Sequence, residues 1–294
     1  NLTSDLSRST IQDWIKSGYV KINSVSVCSP KHKVNHTDII EIEAKIEPAL
    51  SDSAENIPLN IVFEDDHILI INKSAGLVSH PGAGNKTGTL VNALLHHDST
   101  LSTLPRAGLI HRLDKDTSGL LIIAKDSQSF DHLTEAMKKR QIKRQYLALC
   151  QGRIISGGTI DKPIDRDSKN RVKMAVTDSG KPAVTHYRVK ARYPAHTLLS
   201  IELETGRTHQ IRVHLTHAGY PLVGDKTYRK QKALACRISP ELQQACLHFP
   251  RQALHAEKLT LTHPINGKSV TFKAPVPNDL SSLIETMQHE VNLR

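Results

Sequence analysis

The sequence lacks any long apolar run. Among its 294 residues, no apolar stretch approaches the length of roughly 18 consecutive apolar residues that a membrane-spanning helix needs. The start of the sequence also lacks a basic region followed by an apolar one, which is the pattern of a secretory signal. Both absences argue against a membrane or exported protein, and we expect a cytoplasmic protein without a membrane partner.

Cysteine is scarce as well. The four cysteines, Cys28, Cys150, Cys236 and Cys246, lie far apart and show no C-x-x-C spacing, so neither a disulfide framework nor a cysteine zinc site is predicted. Three histidines do cluster, at positions 209, 214 and 217, but they lack the H-E-x-x-H spacing and no acidic residue lies among them. We therefore predict no metal site.

Basic residues are in excess. The formal net charge is +10, which favours a polyanionic partner such as nucleic acid, although many basic proteins bind none. Residues 1–50 contain equal numbers of acidic and basic side chains, so the whole excess falls in the rest of the chain. Its densest part is "KKRQIKR" at residues 138–144, which is either a contact for a nucleic-acid backbone or a solvated helix end.

The order of predicted elements indicates an α+β protein of two domains. Residues 1–47 read as a small module, with a helix capped by Ser7 or Ser9 and ended by Gly18, then short strands around a turn at Asn23 and Ser24. Residues 48–58 are polar and read as a linker. In residues 59–294, several predicted strands follow one another directly, and helices interrupt them at only some points. This order favours a mixed, largely antiparallel sheet over a parallel doubly wound one.

Two helices are predicted within residues 59–294. One begins near Ser127 or Ser129 and turns Phe130, Leu133 and Met137 inward. The other covers "THQIRVHLTHAG", with Thr208 as N-cap and Gly219 just past its end. Strand alternation also fits this second segment, but the two end signals favour a helix.

One stretch is unusually rich in charge. "HRLDKDTSGLLIIAK", residues 111–125, places five charged or titratable side chains before an apolar strand, with Thr117, Ser118 and Gly119 as a tight turn into it. Asp114 then lies in a loop beside a rigid element, where catalytic groups are often found. Considered by itself, Asp114 is better interpreted as a turn aspartate or a member of a solvated ion pair than as a catalytic group. We interpret Asp116 as structural.

The same stretch, "HRLDKDTSGL", resembles the signature motif of the RluA family of pseudouridine synthases. The segments "HPGAGNKTGTLVNALLHH", "GKPAVTHYRV", "LETGRTHQIRVHLTHAGYPLVGDKTY" and "RQALHAEKLTLTHPINGK" resemble that family in the same order. Residues 1–47 resemble the S4 RNA-binding domain, with "G-x-V-x-[IV]-N" followed by "V-x-x-x-D-x-I-x-[IV]". The alternative for this module is an accessory domain that binds nothing.

The resemblance implies an RNA isomerase. Pseudouridine formation breaks the bond from ribose C1′ to uracil N1 and joins C1′ to C5 without a redox step, so the family uses neither a nucleotide cofactor nor a metal. The resemblance assigns catalysis to Asp114, contact with the target base to Tyr146, and pairing with Asp114 to Arg212. It also implies that Arg112 stacks in the space of a flipped nucleotide. His111 is expected to contact the nearby ribose or phosphate.

The implied partner is 23S ribosomal RNA of the large subunit, with uridines of the stem-loop called helix 69 as targets and pre-ribosomal particles as a further partner. Five basic residues are expected to contact the RNA backbone: Lys138, Lys139, Arg140, Lys143 and Arg144.

Two other functions compete. One is an RNA-binding ribosome-assembly factor with an idle site, against which the set of Asp114, Tyr146 and Arg212 argues. The other is a nucleoside hydrolase, which needs a water-activating base or metal that the sequence does not offer.

Overall fold

The structure, a computed structural model, describes residues 8–43, 53–82, 85–228 and 238–292. The chain divides into two compact units, Asn1–Ser51 and Asp52–Arg294. The boundary falls within the segment 48–58 that the sequence predicts as a linker. No helix in the described ranges is long and apolar enough to cross a membrane.

The described part of the first unit contains one helix and three short strands. Helix α1 (Arg8–Lys16) is followed by Gly18 at φ 77°, as predicted. The strands form an antiparallel sheet in the order β2-β1-β3, with bounds β1 (Val20–Ile22), β2 (Val25–Ser26) and β3 (Ile40–Ile42). Asn23 and Ser24 both have positive φ in the predicted turn between β1 and β2. Of the two candidate caps, Ser9 lies inside α1, and Ser7 lies outside the described residues.

A nine-stranded sheet dominates the second unit. Its strands run in the order β4-β5-β6-β13-β7-β12-β11-β8, with β14 paired to β13, while β9 and β10 form a separate ribbon. Among the described strands of this sheet, only β6 and β13 pair in parallel, which confirms the predicted α+β class with a mixed, largely antiparallel sheet. The bounds are β4 (Ile61–Glu64), β5 (Ile68–Lys73), β6 (Ser118–Ala124), β7 (Lys143–Gln151), β8 (Gly158–Asp161), β9 (Ile164–Arg166), β10 (Met174–Val176), β11 (Val184–Arg192), β12 (His196–Leu203), β13 (Leu254–Thr262) and β14 (Ser269–Lys273).

Both faces of strands β5 and β6 are covered. Successive side chains of a strand point to opposite faces. In β6, Leu121 and Ile123 therefore pack in one apolar cluster, and Leu120 and Ile122 in another. Burial on both sides explains why these strands are apolar runs without polar alternation.

Five helices accompany the sheet in the described part of the second unit: α2 (Leu90–His97), α3 (Ser127–Lys138), α4 (Gln210–His217), α5 (Pro240–His248) and α6 (Asn278–Asn292). The predictions of α3 and α4 are confirmed, and Gly219 at φ 90° follows α4 as expected. The predicted N-cap Thr208 is wrong. His209 is the N-cap, in a left-handed conformation, because the side chain of Gln210 already accepts from the backbone N–H of Arg207 at 2.9 Å and shapes the turn.

The described end of the predicted linker, residues 53–58, belongs to the second unit. The Glu55 carboxylate accepts a hydrogen bond from the backbone N–H of Gly88 at 3.0 Å, and the Glu55 backbone N–H donates to the carbonyl of Asn92 at 3.0 Å. These residues are therefore tied to the start of α2, while residues 48–52 lie outside the described ranges.

Candidate active site

Asp114 begins a tight turn that leads into β6. The backbone N–H of Thr117 donates to the Asp114 carbonyl at 3.0 Å, which closes the turn. At Gly119, φ is 116°, and an added Cβ would lie 2.3 Å from the carbonyl oxygen of Ala256. Glycine is therefore required there for β6 to approach β13.

Buried side chains hold this turn from below. Ser79 donates from its hydroxyl to the Leu113 carbonyl at 2.8 Å. The Lys73 ammonium donates to the Lys115 carbonyl at 2.9 Å and to the carbonyls of residues 74 and 77 at 2.8 and 2.9 Å. The backbone that presents Asp114 is consequently fixed by groups that are themselves buried, as positioned catalytic groups require.

The Asp114 side chain, 17% exposed, is paired with Arg212. Arg212 extends from α4 and donates from Nη1 to Oδ2 of Asp114 at 3.0 Å. The other side of its guanidinium donates to both carboxylate oxygens of Asp225, at 2.7 and 2.9 Å. One arginine thus joins two carboxylates, and the bidentate pair with Asp225 fixes its plane.

The charge of Arg212 is secure despite its burial. Burial acts to lower the pKa of Arg212, but the hydrogen bonds and charges of Asp225 and Asp114 outweigh that effect and raise it. The guanidinium carbon also lies 5.0 Å from the ring centre of Tyr228, in cation–π contact. Arg212 therefore stays positive next to Asp114.

His209 approaches the same carboxylate from the start of α4. Its Nε2 lies 4.0 Å from Oδ2 of Asp114, and its Nδ1 lies 2.7 Å from the Tyr228 hydroxyl. Burial lowers the pKa of His209, against the attraction of Asp114. The ring is therefore fixed in position while its protonated form is disfavoured.

Asp114 lies between two cavities, of about 540 Å³ and about 610 Å³. Tyr146, on β7, lines the smaller one and is 4% exposed, and burial raises the pKa of its hydroxyl. Asp114, Arg112 and Arg212 line both. The structure thus brings Asp114, Tyr146, Arg212 and Arg112 together around the smaller cavity.

His111 lies in the wall of the smaller cavity, with both ring nitrogens closed to solvent and without a hydrogen-bond partner among the described residues. Burial, followed by the positive charge of Arg144, lowers the pKa of His111 to about 3. The ring is therefore neutral.

The basic run divides into exposed and buried members. Lys138 and Lys139 are 71% and 60% exposed and pair weakly with Glu135 at 3.7 and 3.5 Å. Arg140 pairs with Glu204, and Lys143 is exposed. Arg144, in contrast, is only 8% exposed and lies in the wall of the smaller cavity. Lys138 and Arg140 also line this cavity, whereas Lys139 and Lys143 are not among its described lining residues.

Several residues of the site were missed by sequence reasoning. Asp225 and Tyr228 both lie in "GDKTY", a segment that carried the resemblance but received no role of its own. His209 was considered only as a metal ligand, and Lys73 was not considered. Lys73 lies at the polar end of an apolar strand, which only weakly indicates that it is buried. No local sequence pattern indicates the pairing between Arg212 and Asp225.

The three clustered histidines do not converge. The His214 ring contacts the Thr185 hydroxyl at 2.8 Å and the Lys162 carbonyl at 2.9 Å, whereas His209 faces Asp114. Within the described ranges, no group of three or more His, Cys, Asp or Glu side chains could hold a metal ion.

Known proteins resemble this chain over almost its whole length. Residues 67–217 match the family described as RNA pseudouridylate synthase. Ribosomal large subunit pseudouridine synthase D of Xanthomonas campestris pv. campestris is 46% identical over 97% of this chain and 86% of its own length. The protein of the same name from Haemophilus ducreyi is 47% identical over 97% of this chain and 87% of its own.

Solved structures show the same fold. Human RNA Pseudouridylate Synthase Domain Containing 4 is 25% identical, with a TM-score of 0.60, over 78% of this chain and 93% of that chain. Human RNA Pseudouridylate Synthase Domain Containing 1 has a TM-score of 0.58 over 80% and 96%. The resemblance of the motifs around Asp114 is thereby confirmed, and the chain belongs to the RluA family of RNA pseudouridine synthases, which are isomerases.

Proposed function

We propose that this chain converts uridine to pseudouridine in 23S ribosomal RNA of the large subunit, with Asp114 as the catalytic carboxylate. One observation carries the assignment: the largely buried Asp114 carboxylate is held by Arg212 at 3.0 Å, and Asp114 lines both cavities. The names of the relatives support ribosomal RNA as the substrate. The resemblance supports helix 69 as the target and pre-ribosomal particles as a partner, and the few, scattered cysteines support the cytoplasm as the location.

The geometry suits a reaction that needs one carboxylate. Oδ2 of Asp114 accepts from Arg212, while Oδ1 has no hydrogen-bond partner among the described residues. The free oxygen can attack ribose C1′ or assist an elimination from C2′, and both routes free the uracil for rotation and attachment through C5. A glycosidase, by comparison, usually places two carboxylates around the bond that it cleaves.

The other side chains bind and orient the nucleotide. A uridine must leave its stack to reach the cavity, at a cost of a few kcal/mol. We assign contact with the uracil to Tyr146. We expect the exposed Arg112 to stack in the space that the flipped uridine leaves. Contact of His111 with the ribose or phosphate stays a prediction that requires its ring to turn. We assign contact with the RNA backbone to the exposed basic residues: Lys138 and Arg140, which line the smaller cavity, and Lys139 and Lys143, which lie next to them in the sequence.

Replacing Asp114 by Asn tests the catalytic role. The substitution keeps the size of the side chain but removes the charge needed at C1′, so isomerisation should be abolished while RNA affinity stays within a few fold. Tritium release from a helix 69 transcript carrying 5-tritiated uridine measures the reaction. Asp116→Asn is the matched control, since it makes the same change in the same turn, and it should retain most activity.

Activity of Asp114→Asn above a tenth of the wild-type rate contradicts the assignment. If the wild-type protein binds the transcript but releases no tritium from it or from whole 23S RNA, the chain is an idle assembly factor. Mapping pseudouridines in ribosomal RNA from cells with and without the protein then identifies the modified positions.

A further inference from the structure

Arg144 is exceptional among the buried arginines of the described residues. Arg212 and Arg251 are each 5% exposed, and each makes a bidentate pair with a carboxylate, Asp225 for the first and Asp279 for the second. Arg144 is 8% exposed, and no described side chain or carbonyl forms a hydrogen bond or ion pair with its guanidinium. Its Nε is closed to solvent without a partner.

The position of Arg144 is nevertheless built into the fold. It lies on β7, two residues before Tyr146, so both side chains point from the same face of the strand into the smaller cavity. Gly206 makes room for the guanidinium, since an added Cβ there would lie 2.9 Å from Nη1 of Arg144. The side chain is therefore held in the cavity wall and does not simply extend toward solvent.

The cavity offers Arg144 no counter-charge. Among the described residues, its lining contains two carboxylates, Asp114 and Glu204. Asp114 is paired with Arg212, and Glu204 is paired with Arg140 and His186. An isolated buried cation is strongly unfavourable unless an anion joins it, and a guanidinium matches the oxygens of a phosphate with two parallel hydrogen bonds.

We propose that Arg144 forms an anion subsite inside the active cavity that binds a phosphate diester next to the flipped uridine. The proposal rests on the proposed function and deepens it. Arg144 and Tyr146 are separated by roughly 6.6 Å along the strand, comparable with the distance between a base and the phosphate of its own nucleotide. Arg144 therefore acts after flipping, on the captured nucleotide, whereas the exposed run at residues 138–143 acts on the surrounding backbone.

Neutralising single phosphates in the substrate tests this subsite. Helix 69 transcripts carry a methylphosphonate either 5′ or 3′ of the target uridine, and single-turnover tritium release is measured with the wild type and with Arg144→Met. At one of the two positions the wild-type rate should fall about tenfold to hundredfold, the range of one charge-assisted contact. Arg144→Met should lose a similar factor with the normal transcript and lose little more with the modified one.

Two further variants separate binding from a structural role. Arg144→Lys keeps the charge but not the bidentate geometry, and its rate should lie between those of the wild type and Arg144→Met. Lys268→Gln removes a charge from an exposed site that does not line the cavity, and both its rate and its response to the methylphosphonate should match the wild type. The melting temperature of Arg144→Met should equal or exceed that of the wild type, because an unpaired buried charge is removed.

Three results overturn the subsite. One is a wild-type rate that neither methylphosphonate changes. Another is a methylphosphonate that slows Arg144→Met by the same factor as it slows the wild type, which means that Arg144 does not contact that phosphate. The third is an Arg144→Met protein that melts several degrees lower or fails to fold, which indicates a structural arginine. Failure of the proposed function differs from all three, since the wild type then releases no tritium from any transcript.

Discussion

Arg212 is bound more tightly by Asp225 than by Asp114. It makes two hydrogen bonds to Asp225, at 2.7 and 2.9 Å, and one to Asp114, at 3.0 Å. When Asp114 loses its charge by attacking the ribose or by taking a proton, Arg212 is not left as an unpaired buried cation, which would be strongly unfavourable. Asp225 thus allows the catalytic carboxylate to change its charge state without disrupting the site.

The burial of Lys73 should make the stability of the folded protein depend on pH. Burial lowers the pKa of Lys73 to about 7, although the charges of Asp116 and Asp114 act to raise it. The unfolded chain, with a lysine pKa near 10.5, therefore binds more protons than the folded protein between about pH 7 and pH 10. Across that range the Lys73 contribution to the free energy of unfolding should rise with pH, by up to about 1.4 kcal/mol per unit, and it is lowest below pH 7.

Denaturant unfolding of the wild type and Lys73→Met from pH 6.5 to 9.5 measures this contribution, since other titrating groups cancel in the difference. The wild type should gain stability relative to the variant as the pH rises. A constant difference would mean that the three carbonyls around the ammonium keep Lys73 charged throughout the range.

At the scale of elements, local sequence patterns predicted individual helices and strands but not the long-range pairing between residues. Apolar runs predicted β5 and β6, and end signals predicted α3 and α4. Helix α6 was missed although Leu280, Leu283 and Met287 recur at helical spacing, and α5 was missed although Pro240 follows the capping residue Ser239. Those signals were present in the sequence.

The pairings of the site could not be predicted from local patterns. Asp114 and Arg212 are 98 residues apart, and only the resemblance joined them. The burial of Arg144 is a further case, since the sequence places it in a continuous basic run and only the packing of β7 separates it from Lys143. A charged residue reveals its burial through distant contacts, which a local pattern does not contain.

The end of α3 carries a prediction at the same scale. Lys138, Lys139 and Arg140 make exposed ion pairs, which contribute little to stability and can be exchanged for phosphates. Changing all three to Gln should weaken binding of every RNA sequence and reduce the slope of log affinity against log salt by about one for each lost contact. Fluorescence anisotropy across a salt series measures that slope.

A matched triple variant controls for the loss of charge. Lys258, Lys268 and Lys273 lie on the β13–β14 hairpin and do not line either cavity, so changing them to Gln should leave the slope nearly unchanged. If both triple variants reduced the salt slope equally, the effect at the end of α3 would reflect only the loss of net charge and not a local contact with RNA. An unchanged slope with altered site choice would mean that the run reads RNA structure directly.

On the scale of the whole molecule, charge and chemistry fall in the same unit. Residues 1–50 carry balanced charge, and the net excess of +10 lies in the rest of the chain. All the candidate catalytic and binding residues belong to the unit Asp52–Arg294, which has apolar clusters of its own. We therefore expect the first unit, which we propose to be S4-like, to contribute to substrate selection and not to the reaction itself.

Deleting residues 1–51 tests this division of labour. The truncated protein should keep its melting transition and isomerise a short helix 69 stem-loop at a rate within a few fold of the full chain, because the described hydrogen bonds that hold the turn at Asp114 come from residues of the second unit. Its preference for large-subunit RNA over an unrelated structured RNA of equal length should fall, since the contacts of one RNA-binding unit are lost. Competition assays with both RNAs measure that preference. A well-folded truncation that is inactive on the stem-loop would place a required group in the first unit, and an unchanged preference would mean that the second unit selects the RNA by itself.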